Sequence, residues 1–192
     1  MKKNILISVC IFAIVTLILS IIYPQEDIVI NYSISNDYNL VALNDFETRY
    51  NEYLEKNFFN GESVETISSK INRYLNSTLS GKGEYITRYS IEVGVDPYLA
   101  ASVILHETGC QWTCSYLARV CNNFGGNKGG PGCNGGSYRK FSSLEEGLNF
   151  AIDKLARYYN KGYTTPEQIN PSYATSKTWA EKINKYMNKL KS

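Results

Sequence analysis

Glu107 closes the apolar stretch Leu99-Ala-Ala-Ser-Val-Ile-Leu-His106 and is followed at once by Thr108 and Gly109. A helix over that stretch ends on the carboxyl group, where the helix dipole gathers partial negative charge and low polarity disfavours ionisation. Both effects favour the protonated acid, the form that donates a proton to a leaving oxygen when a glycosidic bond is cut. His106 is the only histidine in the chain and points to another helix face than Glu107, so it reads as a packing or hydrogen-bonding group. Nucleophile schemes that need a histidine base are excluded unless His106 is that base. No Asp or Glu lies between Glu107 and Glu145, so an ordinary inverting pair of carboxylates is not expected. Glu145 and Glu146 are accounted for at a helix start, the first by an S-x-x-E capping box with Ser142 and the second by the favourable first-turn dipole.

The helix that ends on Glu107 must start at Asp96-Pro97, an N-cap followed by proline at the first helical position, and its nearly continuous apolar sequence predicts burial all round. Helical periodicity also runs from Leu43 to Leu54, is broken at Asn60-Gly61, and resumes from Val64 to Leu75. Glu84 to Val93 predicts a helix ending on a left-handed Gly94, and another runs from Ser142 to Tyr159. Thr165-Pro166 predicts a short turn, and Thr175 or Ser176 opens a last helix with Trp179, Ile183, Met187 and Leu190. Residues 110–137 lose periodicity and are rich in glycine and cysteine, which predicts an irregular lobe or short hairpin. The fold class is therefore mainly α, with one small glycine-rich lobe.

With 192 residues, 43% of them hydrophobic and 13% aromatic, the chain has room for one packed core and a modest extension, and a disordered reading fails. Ile5 to Tyr23 is an uncharged apolar run long enough to span a membrane as a helix. Lys2 and Lys3 precede it and Glu26 and Asp27 follow, which keeps the N-terminus in the cytoplasm and places the rest outside. No small-x-small site precedes Pro24, so the expected organisation is an uncleaved signal anchor at 1–23, a stalk at 24–42 and a domain at 43–192, with secretion the outcome if 1–23 is cleaved. Export to an oxidising compartment makes Cys110, Cys114, Cys121 and Cys133 two expected disulfides. Their spacing lacks the paired CxxC of a zinc site, and neither metal nor cofactor is expected. Four cysteines allow three pairings; Cys110 with Cys114 and Cys121 with Cys133 is the working arrangement. Charge is polarised: residues 24–109 hold 6 basic and 13 acidic side chains, whereas 110–192 hold 12 and 5, so the second half is the expected face for an anionic polymer. A nucleic-acid partner is not expected.

Several segments in one order carry a resemblance: Glu107-Thr-Gly, Leu117-Ala118, Asn122-Asn-Phe-Gly-Gly126, Lys128-Gly129, Tyr138-Arg-Lys-Phe141, Ser143-Leu-Glu-Glu146 and Tyr173-Ala-Thr-Ser-Lys-Thr-Trp-Ala180. Together, over residues 84–190, they resemble the endo-β-N-acetylglucosaminidase family of peptidoglycan hydrolases. The resemblance implies a lysozyme-like fold, Glu107 as the catalytic acid, and Tyr173 as a cleft tyrosine that assists the transition state. It implies glycan contacts from Asn123 and Phe124 in the Asn-Asn-Phe-Gly-Gly segment, with Tyr138 stacking on a sugar face and Trp179 lining the cleft. The expected partners are peptidoglycan glycan strands, the cytoplasmic membrane through the N-terminal run, and the machinery of envelope assembly. Relatives usually follow the acid with Trp-Gly-Thr-Ser, whereas this chain has Cys110-Gln-Trp-Thr-Cys114, which alters the cleft there. A lone acid leaves two chemistries: attack by the substrate's own 2-acetamido oxygen, or attack by the muramyl 6-hydroxyl as in lytic transglycosylases. The G-x-M-Q type of segment usual in the latter is replaced by Asn-Asn-Phe-Gly-Gly, which favours hydrolysis. A cleft that binds wall glycan without cutting it, as part of an envelope machine, is the non-catalytic alternative.

Overall fold

The computed structural model describes the backbone of residues 36–192, with side chains from residue 44 onward. The apolar run at 5–23 and the first part of the expected stalk lie outside the described residues. Among the described residues no helix is long and apolar enough to cross a membrane. The chain divides into two compact units, Met1–Glu47 and Thr48–Ser192, and the candidate site lies wholly in the second.

Helix α1, Asn36–Asn57, begins ahead of Leu43, where the apolar period sets in. Helix formation needs only adequate propensity, so a stretch without an apolar stripe gives no periodic signal and still coils. Asn60-Gly61 does more than break the pattern. Both residues adopt positive φ, 50° and 80°, and they join the two-residue strands β1, Phe58–Phe59, and β2, Glu62–Ser63, in antiparallel register Phe58↔Ser63. An Asn-Gly pair suits the twist of a tight hairpin because both central positions need the left-handed region. Helix α2, Val64–Asn72, follows directly, with the Ser63 hydroxyl accepting from the Thr66 N–H.

Helix α3, Gly83–Glu92, packs on α2, and Gly83 is where they meet: a Cβ there would stand 2.5 Å from the Ser68 carbonyl oxygen. Helix α4, Pro97–Thr108, is the centre of the core, with Leu99, Ala100, Ala101, Val103, Ile104 and Leu105 all buried. The Asp96 carboxylate accepts from the Tyr98 and Leu99 N–H groups at 2.7 and 3.3 Å, and Gly109, at φ 65°, ends the helix. Helix α6, Leu144–Tyr159, is tied to α3 by two matched pairs: the Tyr85 hydroxyl donates to Asn149 at 2.7 Å and the Tyr89 hydroxyl to Asp153 at 2.9 Å. Burial first and the Asp153 carboxylate second push the Tyr89 phenol up to about 12, so this link is a neutral donor at any working pH.

The N-cap of α6 is Ser143, one residue later than its S-x-x-E pattern predicts. The Ser143 hydroxyl accepts from the Glu146 N–H, and the Glu146 carboxylate reaches back to the Ser142 N–H and hydroxyl, at 2.7 and 2.5 Å. Glu145 is thereby released to pair with Lys82 at 3.2 Å. Thr165-Pro166 opens a full helix, α7, Pro166–Tyr173, with a capping box from Gln168, where the sequence predicts only a turn. Helix α8, Trp179–Lys191, starts later than Thr175, because residues 174–178 form the bend that brings it back onto α4. His106 faces α8, its ring 6.3 Å from that of Tyr186, a packing role as the sequence suggests.

The short helix α5, Tyr116–Cys121, introduces the glycine-rich lobe. Disulfides join Cys110 to Cys114 and Cys121 to Cys133, the working arrangement, and leave none of these four thiols for zinc. The lobe is the expected irregular hairpin, held by isolated bridges between Lys128 and Tyr138 and between Gly132 and Arg139. The first disulfide fixes the chain as it leaves α4, where Asn76 donates from its backbone N–H to the Cys110 carbonyl and from its side chain to the Gln111 carbonyl. Replacing Cys110 and Cys114 together by serine is expected to cost about 2 kcal/mol, near the value of closing so short a loop. Urea unfolding of both proteins under non-reducing conditions measures it, and equal midpoints would show that the surrounding hydrogen bonds alone fix the turn.

Candidate active site

Glu107 occupies the last turn of α4 and is half-buried. The two residues after it explain how the sequence places it there. The Thr108 hydroxyl donates to the Ile104 carbonyl at 2.6 Å and accepts from the Cys110 N–H at 3.2 Å, so it closes the helix and turns the chain towards the first disulfide. Gly109 supplies the left-handed cap that a residue with a Cβ adopts only at a cost. Among the described residues no hydrogen bond or ion pair engages the Glu107 carboxylate.

Gly126 stands against this carboxylate. Its φ is 60°, and a Cβ there would lie 3.7 Å from Glu107 Oε2. The loop that carries Gly126 is built by Asn123 and Phe124, both buried. The Asn123 side chain donates to the carbonyls of Asn127 and Arg139, each at 2.8 Å, and accepts from the Asn127 N–H at 2.9 Å. Phe124 is packed in the core. These two residues of the Asn-Asn-Phe-Gly-Gly segment therefore shape the loop from within, and it is the glycine at its end that reaches the acid.

Tyr173 ends α7 and is positioned by the bend that follows. The Asn170 side chain donates to the Ala174 and Ser176 carbonyls and accepts from the Ala180 N–H, which locks α7 to α8. The Tyr173 ring packs 4.7 Å from that of Trp179 and 6.0 Å from that of Tyr158. Burial first, and the negative charge of Glu107 second, hold its phenol well above the ordinary range, so it stays protonated. Trp179 is buried beneath Tyr173 and supports it. Tyr138 lies on the exposed side of the glycine-rich lobe.

The structure adds a residue that periodicity does not single out. Lys154 of α6 carries its ammonium 4.0 Å from the centre of the Tyr173 ring, a cation–π contact. Burial holds this ammonium below its usual range, the Glu107 charge opposes that, and Arg157 adds to it. Among the described residues Glu107 is the one carboxylate whose charge acts on Lys154 or on Tyr173. Glu145 and Glu146 are placed otherwise: the first is held below the usual carboxylate range by its own backbone N–H and by Lys82, the second by the hydroxyl and N–H of Ser142. Both are helix-start anions, in the form that accepts rather than donates. Trp112, between the cysteines of the first disulfide, is 79% exposed, the most exposed large apolar side chain of the described residues.

Among the described residues no group of three or more His, Cys, Asp or Glu side chains is placed to hold a metal ion. The arrangement is instead one carboxyl group beside a glycine that leaves room for it, with one protonated phenol and one ammonium on which its charge acts. Such a set can donate and recover a proton while hydrogen-bonding a polar substituent of a bound molecule. A family model described as mannosyl-glycoprotein endo-beta-N-acetylglucosaminidase matches residues 83–192, which contain all of these groups. No curated protein matches the chain.

Proposed function

Because the chain belongs to the mannosyl-glycoprotein endo-beta-N-acetylglucosaminidase family, we propose that it is a peptidoglycan hydrolase of lysozyme-like fold that cuts the glycan strand after N-acetylglucosamine. The observation that carries this reading is the grouping of Glu107 with Gly126, Tyr173 and Lys154, in which a single carboxylate, unpartnered among the described residues, acts on a half-buried phenol and ammonium. Glu107 protonates the leaving glycosidic oxygen. The 2-acetamido oxygen of the same sugar attacks the anomeric carbon and closes an oxazolinium ring, so no second carboxylate is required. Glu107, now ionised, takes a proton from the water that opens the ring. Tyr173, held protonated by burial and by the Glu107 charge, hydrogen-bonds the acetamido group in the attacking orientation. Lys154 balances the negative charge that Glu107 carries between the two steps. Trp179 fixes the Tyr173 ring, Asn123 and Phe124 shape the loop against the acid, and Tyr138 offers an exposed ring to a more distant sugar.

The leading residues complete the proposal. An anchor at 1–23 and a stalk at 24–42 would hold the domain 43–192 outside the cell membrane, and the two disulfides support an oxidising location.

Mass spectrometry of digested sacculi tests the bond cut. Hydrolysis leaves an N-acetylglucosamine reducing end, which borohydride reduces with gain of hydrogen. Products that resist reduction would carry a closed 1,6-anhydro-muramyl end and would make the chain a lytic transglycosylase. Tyr173→Phe, which removes one hydrogen bond to a charged intermediate and leaves the ring packing, is expected to lower kcat by about tenfold or more. Unchanged kcat in that variant would remove the phenol from the mechanism.

A further inference from the structure

Beside Tyr173 lies a cavity of about 290 Å³ lined by Lys154, Arg157, Tyr158, Lys161, Tyr163 and Ser172. Lys154, Arg157 and Lys161 recur at helical spacing along α6 and its C-terminal end, so they share one face. Among the described residues none of the three is in an ion pair, although Lys70, Lys82, Arg88 and Lys191 each have an acidic partner. The carboxylate whose charge acts on Lys154, at one end of the row, is Glu107. Like charges three and four residues apart on a helix repel one another, and an anion in the cavity would relieve that repulsion.

The cavity shares Lys154 with the candidate active site. Lys154 touches both, with its ammonium over the Tyr173 ring, and the Tyr158 hydroxyl donates to the carbonyl of Ser172, the residue before Tyr173. Lys154, on which the Glu107 charge acts, thus begins a row that runs on through Arg157 to Lys161. The walls combine two tyrosine rings and a serine with the three cations, which suits a carboxylate borne on a short, partly apolar peptide. An arginine fork matches a carboxylate with two parallel hydrogen bonds.

We infer that this cavity is a subsite for the carboxylates of the peptide-bearing muramyl unit next to the bond cut, and that it sets a preference for peptide-substituted strands over neutral ones. The inference rests on the peptidoglycan reading above. It also gives a place to the basic excess of residues 110–192, which the acid itself does not use.

The test uses the full-length protein and a ligand with no glycosidic bond to cut, so binding is read apart from catalysis. Calorimetry compares N-acetylmuramyl-L-alanyl-D-glutamate with its fully amidated, neutral counterpart. The charged ligand is expected to bind about tenfold more tightly at low salt, with the difference shrinking as ionic strength rises. The exposed pair of substitutions Arg157→Gln and Lys161→Gln is expected to abolish that difference. Equal affinity for the two ligands, or a preference that survives the double substitution, would overturn the subsite. A preference that is present and lost as expected, in a protein that cuts no glycan, would uphold the subsite and refute the hydrolase reading instead.

Discussion

Glu107→Gln protein is expected to fold as the parent does and to clear a suspension of cell walls at least about 100-fold more slowly, the minimum expected when a general acid is removed. Three features make this the largest functional effect available. Among the described residues Glu107 is the one carboxylate acting on Tyr173 and Lys154, and the next acids along the chain, Glu145 and Glu146, are committed to the start of α6. Neither of these two is placed to substitute for it. Glutamine keeps the size and polarity of the side chain, and since Glu107 makes no hydrogen bond or ion pair among the described residues, the substitution breaks neither. Circular dichroism and the urea midpoint should therefore be unchanged, which separates a chemical loss from a structural one. Wall clearance close to that of the parent would show that the proton comes from elsewhere. Lys154 would then be the group to examine, since burial already holds its ammonium below the usual range.

How much of this site is legible in the sequence depends on the range of the interactions involved. The helix that carries Glu107 is fixed by local chemistry: Asp96 caps it, Pro97 starts it, Gly109 ends it, and all three act as their residue types predict. The disulfide pairing also agrees with its short sequence separations of 4 and 12. Lys154 is different. It stands beside Leu155 on a helix whose inner stripe is Leu148, Ile152 and Leu155, so periodicity treats it as an edge residue. Its contact with Tyr173 joins α6 to the end of α7, beside the link from the Tyr158 hydroxyl to the Ser172 carbonyl, a pairing that no local pattern signals. Asn123 and Phe124 show the converse limit. Their segment marks the right loop, but residue type does not say whether an amide faces a ligand or its own backbone, and here Asn123 meets three backbone groups. The apolar environment expected around Glu107 is likewise incomplete, because the ammonium that acts on it arrives from 47 positions further along the chain. The Asn60-Gly61 hairpin was readable in principle, since an Asn-Gly pair is a strong turn signal, but two-residue strands are too short to show any alternation.

Gly147→Ala is expected to destabilise the domain by about 3 kcal/mol, the largest effect on stability expected from a single methyl group in this fold. The sign is the informative part. In the interior of an unobstructed helix, replacing glycine by alanine stabilises by roughly 1 kcal/mol, and Gly147 lies in the first turns of α6 with no positive φ to defend. The methyl group, however, would overlap the carbonyl oxygen of Asn122 and stand 3.1 Å from a ring carbon of Phe124. Asn122 cannot simply move aside. It caps α5 at φ 50°, donates from its side chain to the Phe141 carbonyl at 3.3 Å, and follows Cys121, which is tied to Cys133. Relief must therefore come from shifting α6 away from the loop, which also displaces Gly126 from Glu107 and Lys154 from Tyr173. Stability and activity should fall together, with the urea midpoint lowered at unchanged slope and kcat reduced in the fraction that remains folded. A variant as stable as the parent but with impaired turnover would mean that the loop yields while α6 stays. A variant that gains stability and keeps its activity would show that Asn122–Gly126 is not seated on α6 as described, and that the position of Gly126 beside the acid is set by Asn123 alone.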